Sequence, residues 1–208
     1  MKINKKCPSV IYLIYYVSRC CFCACARLSV TSVNALSAGQ TPNFRLFLFK
    51  GVFTLMTRVF VYGTLKKGQP NNYRMIDVTN GKAEFLTSAI TTQKYPLVIA
   101  GQFNIPFLLN LPGQGHRIHG EIYQVDDRML KFLDDFEGVP TMYQRTVVEL
   151  EVKGDGAEKD GLSPGSITEA FLYSTTTYQP DWPSLTNYES YNAYGDHGLQ
   201  YVTREARD

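Results

Sequence analysis

The segment from residue 127 to 137 carries four acidic side chains, and helical spacing directs only one of them toward an apolar face. Four apolar residues recur there at the spacing of an amphipathic helix: Met129, Leu130, Leu133 and Phe136. At about 100° per residue, Glu137 falls inside this apolar stripe, Asp135 falls on the opposite face, and Asp134 falls beyond the edge of the stripe. The sequence therefore predicts that Glu137 faces the interior of the protein.

A carboxylate in such a position is suited to proton transfer. Desolvation disfavours its charged form, so the pKa of Glu137 should rise toward neutrality. A carboxyl group with that pKa can accept a proton and then donate it at neutral pH. The alternative interpretation is that Glu137 lies at a frayed helix end and reaches water, and the helical pattern alone leaves both open.

A second candidate lies near residue 60, where a short apolar run ends at a glycine. Val59–Tyr62 is typical of a strand buried on both faces, and the polar loop Lys66–Asn72 follows it. Because Gly63 lacks a Cβ, the backbone there can approach a ligand closely, and N–H groups after a buried strand can stabilise an oxyanion. The alternative is an ordinary turn that ends the strand.

Other kinds of chemistry find little support in residues 56–208. All five cysteines lie within the first 25 residues, so this part has no thiol nucleophile, disulfide or cysteine-based zinc site. His116 and His119 are three apart in a predicted strand, where their side chains point to opposite faces, so we expect surface or core histidines and no metal site. The seven basic residues before residue 56 leave 56–208 with a net charge of about −5, which gives no electrostatic basis for binding nucleic acid.

Short apolar runs separated by glycine and proline predict a mainly β structure. The predicted strands after Val59–Tyr62 are Ala83–Thr91, Tyr95–Ala100, Phe107–Leu111, Ile118–Val125, Thr146–Val152 and Ala170–Tyr173. Within Thr146–Val152, apolar and acidic residues alternate, as in a half-exposed strand. Residues 153–166 should form a mobile surface loop, and the tail from Pro180 should wrap the surface irregularly.

Only one segment has the features of a helix with both ends marked. Asp126 can cap its start, and Gly138 and Pro140 can end it. Six or seven strands with one clear helix predict an α+β fold, a small and mostly antiparallel β-barrel with one or more flanking helices.

Residues 1–55 differ from the rest in composition, since they are basic, acid-free and contain every cysteine. Lys2, Lys5 and Lys6 precede the apolar run Val10–Val17, which has the shape of a secretory signal and is too short to span a membrane. The stretch also resembles an organelle transit peptide. The third interpretation is an unfolded extension before a complete domain at 56–208. We expect catalysis not to depend on residues 1–55.

Four ordered sequence blocks carry a resemblance to a known enzyme family. They are Val59–Asn71, Tyr95–Gly101, Phe132–Glu137 and Tyr143–Arg145, and His197-Gly-Leu resembles the family's tail. In these blocks the chain resembles the γ-glutamylamine cyclotransferases, within the wider γ-glutamylcyclotransferase-like fold. The resemblance covers about 150 residues and begins at Met56.

The resemblance implies an enzyme that releases 5-oxoproline from γ-glutamyl amines such as γ-glutamyl-ε-lysine, the isopeptide left by transglutaminase crosslinks. It implies that Glu137 is the catalytic acid and base, and that Tyr62, Gly63, Thr64 and Leu65 hold the glutamyl moiety through backbone groups. It implies a small-molecule substrate and no metal or other cofactor. Separately, we expect no nucleic-acid or membrane partner for the domain, a monomer, and a cytosolic location unless the extension directs a secretory or organellar form.

Several other interpretations remain open beside the family resemblance. A cyclotransferase acting on glutathione or other γ-glutamyl peptides, or a ligand-binding barrel without turnover, fits the same fold. Lys66 and Lys67 either attract the substrate carboxylate or form a solvated pair, with the latter favoured. Tyr143 and Arg145 either line the pocket or simply pack and pair.

Overall fold

The computed structural model describes residues 56–154 and 161–207, and within them seven strands and two α-helices. The strands are β1 Thr57–Val61, β2 Ala83–Tyr95, β3 Leu97–Ala100, β4 Ile105–Leu108, β5 His116–Val125, β6 Gln144–Val152 and β7 Ile167–Ser174. The helices are α1 Tyr73–Ile76 and α2 Asp127–Glu137, and two 3-10 turns, Trp182–Ser184 and Arg204–Ala206, lie in the tail.

Five of the strands close into a barrel in the order β1-β5-β2-β6-β7. All neighbouring pairs are antiparallel except β1 and β7, which pair in parallel through Val59 with Phe171 and Phe60 with Leu172. β3 and β4 form a separate two-stranded antiparallel sheet. The predicted α+β fold with a small, mostly antiparallel barrel is confirmed.

The apolar residues divide between two packed regions. Phe60, Ile122 and Leu172 belong to a core made mainly by the barrel strands. Val59 and Val61, the alternate residues of β1, pack instead with Met129 and Leu133 of α2. β1 is therefore buried on both faces, as its continuous apolar sequence predicts.

Helix α2 begins and ends where its sequence predicts. The Asp126 carboxylate accepts a hydrogen bond from the Met129 N–H at 2.8 Å, which caps the first turn. Gly138 has a φ of 68°, a left-handed conformation that favours glycine, and its N–H donates to the Asp134 and Asp135 carbonyls. Both ends of the helix that carries Glu137 are thus fixed by local hydrogen bonds.

Some boundaries differ from the sequence predictions. β2 runs four residues beyond Thr91 through bulges that let it pair with both β5 and β6, and the short helix α1 was not predicted. In β6, Leu150 and Val152 are buried and Glu149 is exposed, which confirms the half-exposed strand. The predictions for residues 1–55 and for the middle of the loop 153–166 lie outside the described residues.

Gly120 of β5 packs closely against β1, the strand that leads to the candidate site. A Cβ at this position would be 2.5 Å from the Phe60 ring and 2.5 Å from the Val61 carbonyl oxygen. We expect Gly120→Ala to lower the free energy of unfolding by about 2 kcal/mol, since overpacking forces the two strands apart. Urea denaturation followed by fluorescence measures this loss.

Gly195→Ala is the matched control, because the nearest atom to its added Cβ would be 3.3 Å away. If both variants unfold at the same urea concentration as the wild type, the barrel is free to relax around the added methyl group, and the expected strain is absent.

Candidate active site

A cavity of about 120 Å³ lies where the end of β1, the end of α2 and the C-terminal tail meet. The residues that line it include Tyr62, Gly63, Thr64, Leu65, Asn71, Pro106, Phe136, Glu137, Tyr143, Tyr173, Tyr201, Arg204 and Arg207. The five residues that the sequence analysis proposed as a site, Glu137 and Tyr62–Leu65, thus border one space.

Glu137 is the last residue of α2 and is half-buried. Within the part of the chain that the structure describes, its carboxylate makes no hydrogen bond and no ion pair. Burial raises the pKa of Glu137 to about 7, and the Arg204 guanidinium opposes this shift. The helix end that carries Glu137 is capped by Gly138 and is not frayed, and the half-buried side chain borders the cavity.

In the loop that follows β1, backbone carbonyl groups accept hydrogen bonds that fix its conformation. The Gly63 carbonyl accepts from the Lys66 N–H at 3.2 Å, and the Thr64 carbonyl accepts from the Asn71 N–H at 2.9 Å. In contrast, the N–H groups of Gly63, Thr64 and Leu65 donate to no described residue. Backbone donors without a protein partner at a cavity wall are available to a ligand.

Tyr62 and Tyr143 border the cavity with their hydroxyl groups already engaged. The Tyr62 hydroxyl donates to the Tyr173 carbonyl at 2.9 Å, and the Tyr143 hydroxyl donates to the Pro106 carbonyl at 3.4 Å. Burial raises the pKa of both phenols well above the ordinary value, and the charge on Glu137 adds to the effect. Both therefore stay neutral at physiological pH.

The open question about Tyr143 and Arg145 has a different answer for each residue. Tyr143 lines the cavity. Arg145 pairs with Asp134 at 2.9 Å and lies over the Phe171 ring, so it belongs to a supporting network. Asp134 also accepts from the Tyr173 hydroxyl at 2.8 Å, which leaves Asp134 fully engaged behind the cavity wall.

Lys66 and Lys67, the first residues of the polar loop, do not line the cavity. The Lys66 ammonium contacts the Ser190 hydroxyl at 3.3 Å, and the Lys67 N–H donates to Glu121. Neither side chain borders the space around Glu137.

Residues that line the cavity from the tail were missed by the sequence analysis. Tyr201, Arg204 and Arg207 reach the cavity from a segment predicted only to wrap the surface. The Asn71 amide donates to Tyr201, and Arg74 pairs with Glu205 at 2.9 Å. Two arginines near the C-terminus were the one available clue, but an irregular segment has no periodicity that assigns its side chains to a face.

The described residues contain no group of three or more His, Cys, Asp or Glu side chains arranged to hold a metal ion. His116 lies 3.6 Å from Glu189, whereas His119 is exposed on the same strand. No helix among residues 56–154 and 161–207 has the length and apolar character needed to cross a membrane.

Comparison with known proteins relates this chain to one family. Residues 59–193 match the family model described as γ-glutamyl cyclotransferase, AIG2-like. The chain is 56% identical over 151 residues to γ-glutamylaminecyclotransferase B of Danio rerio, covering 72% of this chain and 75% of the relative. It is 51% identical over 155 residues to the γ-glutamylaminecyclotransferase of Mus musculus, covering 73% of this chain and all of the relative.

A solved structure agrees with the sequence comparison. The crystal structure of an AIG2-like protein from Mus musculus superposes with a TM-score of 0.67 at 50% identity, covering 73% of this chain and 99% of the mouse chain. The matched region includes the loop after β1 and helix α2 with Glu137. The chain therefore belongs to the AIG2-like γ-glutamyl cyclotransferase family.

Proposed function

We propose that this protein is a γ-glutamylamine cyclotransferase, a lyase that releases 5-oxo-L-proline and free L-lysine from γ-glutamyl-ε-lysine. One observation carries the proposal: a half-buried carboxylate with a pKa of about 7 shares a small cavity with backbone donors that have no described partner. The names of the relatives support the same substrate class.

The reaction needs no water molecule. The α-amine nitrogen of the glutamyl moiety attacks its own γ-carbonyl carbon, and the bond from that carbon to the ε-nitrogen of lysine breaks. Holding the glutamyl chain folded in the cavity gives this attack an intramolecular advantage of up to about 7–11 kcal/mol. The main contribution of the protein is thus to keep the substrate bent.

Glu137 transfers one proton from the attacking α-amine to the departing ε-amine. The α-amine loses a proton as it attacks, and the departing ε-amine gains one. A carboxylate with a pKa near 7 accepts the first and donates to the second without either step being strongly uphill. Tyr62 and Tyr143 are poor substitutes, since burial raises the pKa of each phenol.

The backbone of Tyr62–Leu65 holds the reacting carbonyl in this proposal. As the α-amine attacks, negative charge develops on the γ-carbonyl oxygen. The N–H groups of Gly63, Thr64 and Leu65 have no described partner, so they are available to stabilise that charge.

Turnover of purified full-length chain tests the activity directly. With γ-glutamyl-ε-lysine, equal amounts of 5-oxoproline and lysine should appear, whereas glutathione should yield little. The opposite preference would identify a glutathione-type cyclotransferase, and no product from either would leave a binding barrel without turnover. A strong chelator should not change the rate, since the proposed steps use no metal.

We further infer that residues 56–208 form the complete catalytic domain, active as a monomer in the cytosol. All cysteines precede residue 26, so the domain needs no oxidising compartment. Both Arg204 and Glu137 come from one chain, so a partner subunit is not needed to assemble the cavity. A chain starting at Met56 should keep the same kcat/KM and elute as a monomer.

A further inference from the structure

Two arginines from the C-terminal tail border the cavity without an acidic partner. Arg204 and Arg207 form no ion pair with any carboxylate among residues 56–154 and 161–207. Arg74, Arg117 and Arg145 are each paired with an aspartate or glutamate at 2.6 to 2.9 Å. Unpaired guanidinium groups facing a partly desolvated cavity are suited to an anionic ligand.

Both groups are held in place by contacts that leave donors free. The Arg207 Nε and one terminal nitrogen donate to the Val202 carbonyl at 3.1 and 3.0 Å, and its plane lies near the Phe103 and Tyr201 rings. A guanidinium has five N–H donors, so these two bonds leave others for a ligand. The side chain is thus fixed before any ligand binds.

Arg204 is fixed in a similar way, closer to the carboxylate. One of its terminal nitrogens donates to the Phe136 carbonyl at 2.9 Å, and its guanidinium lies 4.2 Å from the centre of the Phe136 ring. Phe136 immediately precedes Glu137, and the charge on Arg204 lowers the pKa of that glutamate against the effect of burial. The cation and the carboxylate therefore act on the same region of the cavity.

The chemistry of the substrate indicates which anion belongs there. In a γ-glutamyl amine, the α-amine and the α-carboxylate share one carbon atom. When the amine reaches Glu137, the substrate carboxylate must lie beside it, and two adjacent carboxylates repel unless a cation separates them. The carboxylate of the lysine moiety is a poorer candidate, because four methylene groups and the α-carbon separate it from the reacting amide.

We propose that Arg204 and Arg207 bind the α-carboxylate of the glutamyl moiety, and that the enzyme therefore requires this carboxylate to be free. This inference rests on the proposed function. The backbone donors of Gly63–Leu65 are then left for the γ-carbonyl oxygen, and the tail becomes part of the substrate site. Arg204 and Arg207 act as specificity-determining residues that orient the amine toward Glu137.

Kinetics with two substrates test this assignment in full-length Arg204→Gln and Arg207→Gln. γ-Glutamyl-ε-lysine carries two carboxylates, whereas γ-glutamylpropylamine keeps only that of the glutamyl moiety. We expect each variant to raise KM at least tenfold for both substrates by the same factor, with a smaller change in kcat, as for loss of a charge-assisted hydrogen bond. Arg207→Lys should recover part of the loss.

Binding of 5-oxoproline gives a readout that does not depend on turnover. This product retains the glutamyl carboxylate, so calorimetry should show affinity at least tenfold weaker in both Gln variants. Its carboxamide analogue should bind the variants and the wild type with equal, low affinity. Arg128→Gln, an exposed residue of α2 outside the cavity, is the matched control and should match the wild type throughout.

Each contrary result has a distinct meaning. A KM increase confined to γ-glutamyl-ε-lysine would assign the arginines to the leaving group and overturn the proposal, as would unchanged 5-oxoproline binding in both variants. If the wild type binds 5-oxoproline through the arginines but turns over neither substrate, the proposed function fails while the carboxylate site stands.

Discussion

Glu137→Gln should lower kcat for γ-glutamyl-ε-lysine by a factor of about 10²–10⁴, the range expected when a general acid and base is removed. Glutamine keeps the size and hydrogen-bonding shape of the side chain but cannot take a proton from the α-amine. Steady-state release of 5-oxoproline measures the loss, and KM should change much less, since the cavity keeps its shape.

The variant should also fold at least as well as the wild type. Because burial raises the pKa of Glu137 to about 7, the folded wild type bears the cost of an unpaired, desolvated charge at pH 8. The neutral amide removes that cost, so the midpoint of thermal unfolding at pH 8 should stay equal or rise. A catalytic loss accompanied by unfolding would contradict this account of the site.

Asp135→Asn is the matched control on the same helix. Asp135 is exposed and pairs with Lys131 at 2.7 Å, so its charge lies in water on the opposite face. We expect wild-type kcat from this variant. Full activity in Glu137→Gln would move the proton-transfer role to another group, and Asp134 is a weak candidate because Arg145 and Tyr173 already engage it.

The sequence predicts this helix well because the relevant information is local. Apolar residues at helical spacing determine which face is buried, and that face includes Glu137. Asp126 and Gly138 then set the ends through contacts within a few residues. The helix face that carries Glu137 therefore follows from one segment read by itself, whereas the cavity that this face borders does not.

The remainder of the cavity depends on contacts between segments far apart in sequence. The parallel pairing of β1 with β7 closes the barrel, and no pattern within either strand encodes that partner. Tyr201, Arg204 and Arg207 reach the site because Asn71 and Arg74 anchor the tail more than 120 residues later. Irregular segments held by such long-range hydrogen bonds have no period, so no local sequence pattern assigns their side chains to the cavity.

The pH dependence of turnover should follow the ionisation of Glu137. The carboxylate must start deprotonated to accept the proton from the α-amine, so the ionisation of Glu137 should make kcat/KM rise with pH up to about 7. The α-ammonium group of the free substrate, with an ordinary pKa of about 8, should extend the rise above pH 7, since only the neutral amine can attack. Below about pH 7 the ionised fraction of Glu137 falls about tenfold per pH unit, which alone predicts about a hundredfold loss at pH 5. Initial rates between pH 5 and 8 measure the profile.

The groups around Glu137 determine where this midpoint lies. Tyr62, Tyr143 and Tyr173 stay neutral over the whole range because burial raises the pKa of each phenol. The positive charge that lowers the pKa of Glu137 comes from Arg204. Removing its charge in Arg204→Gln should move the midpoint to higher pH, whereas Arg128→Gln should leave it in place. A profile that is flat from pH 5 to 8 would mean that no group with a pKa near 7 takes part in the proton transfer.

The same pKa shift has the opposite consequence for stability. Because the pKa of Glu137 is higher in the folded protein than the ordinary value of 4.5, the folded state holds its proton more tightly than the unfolded state does. This contribution is fully present below about pH 4.5 and is lost as pH rises through 7, over the interval in which activity appears. Glu137→Gln should lack that loss. The difference in unfolding free energy between variant and wild type should therefore grow from pH 5 to pH 8 and then stay constant. Urea titrations at several pH values can measure this difference.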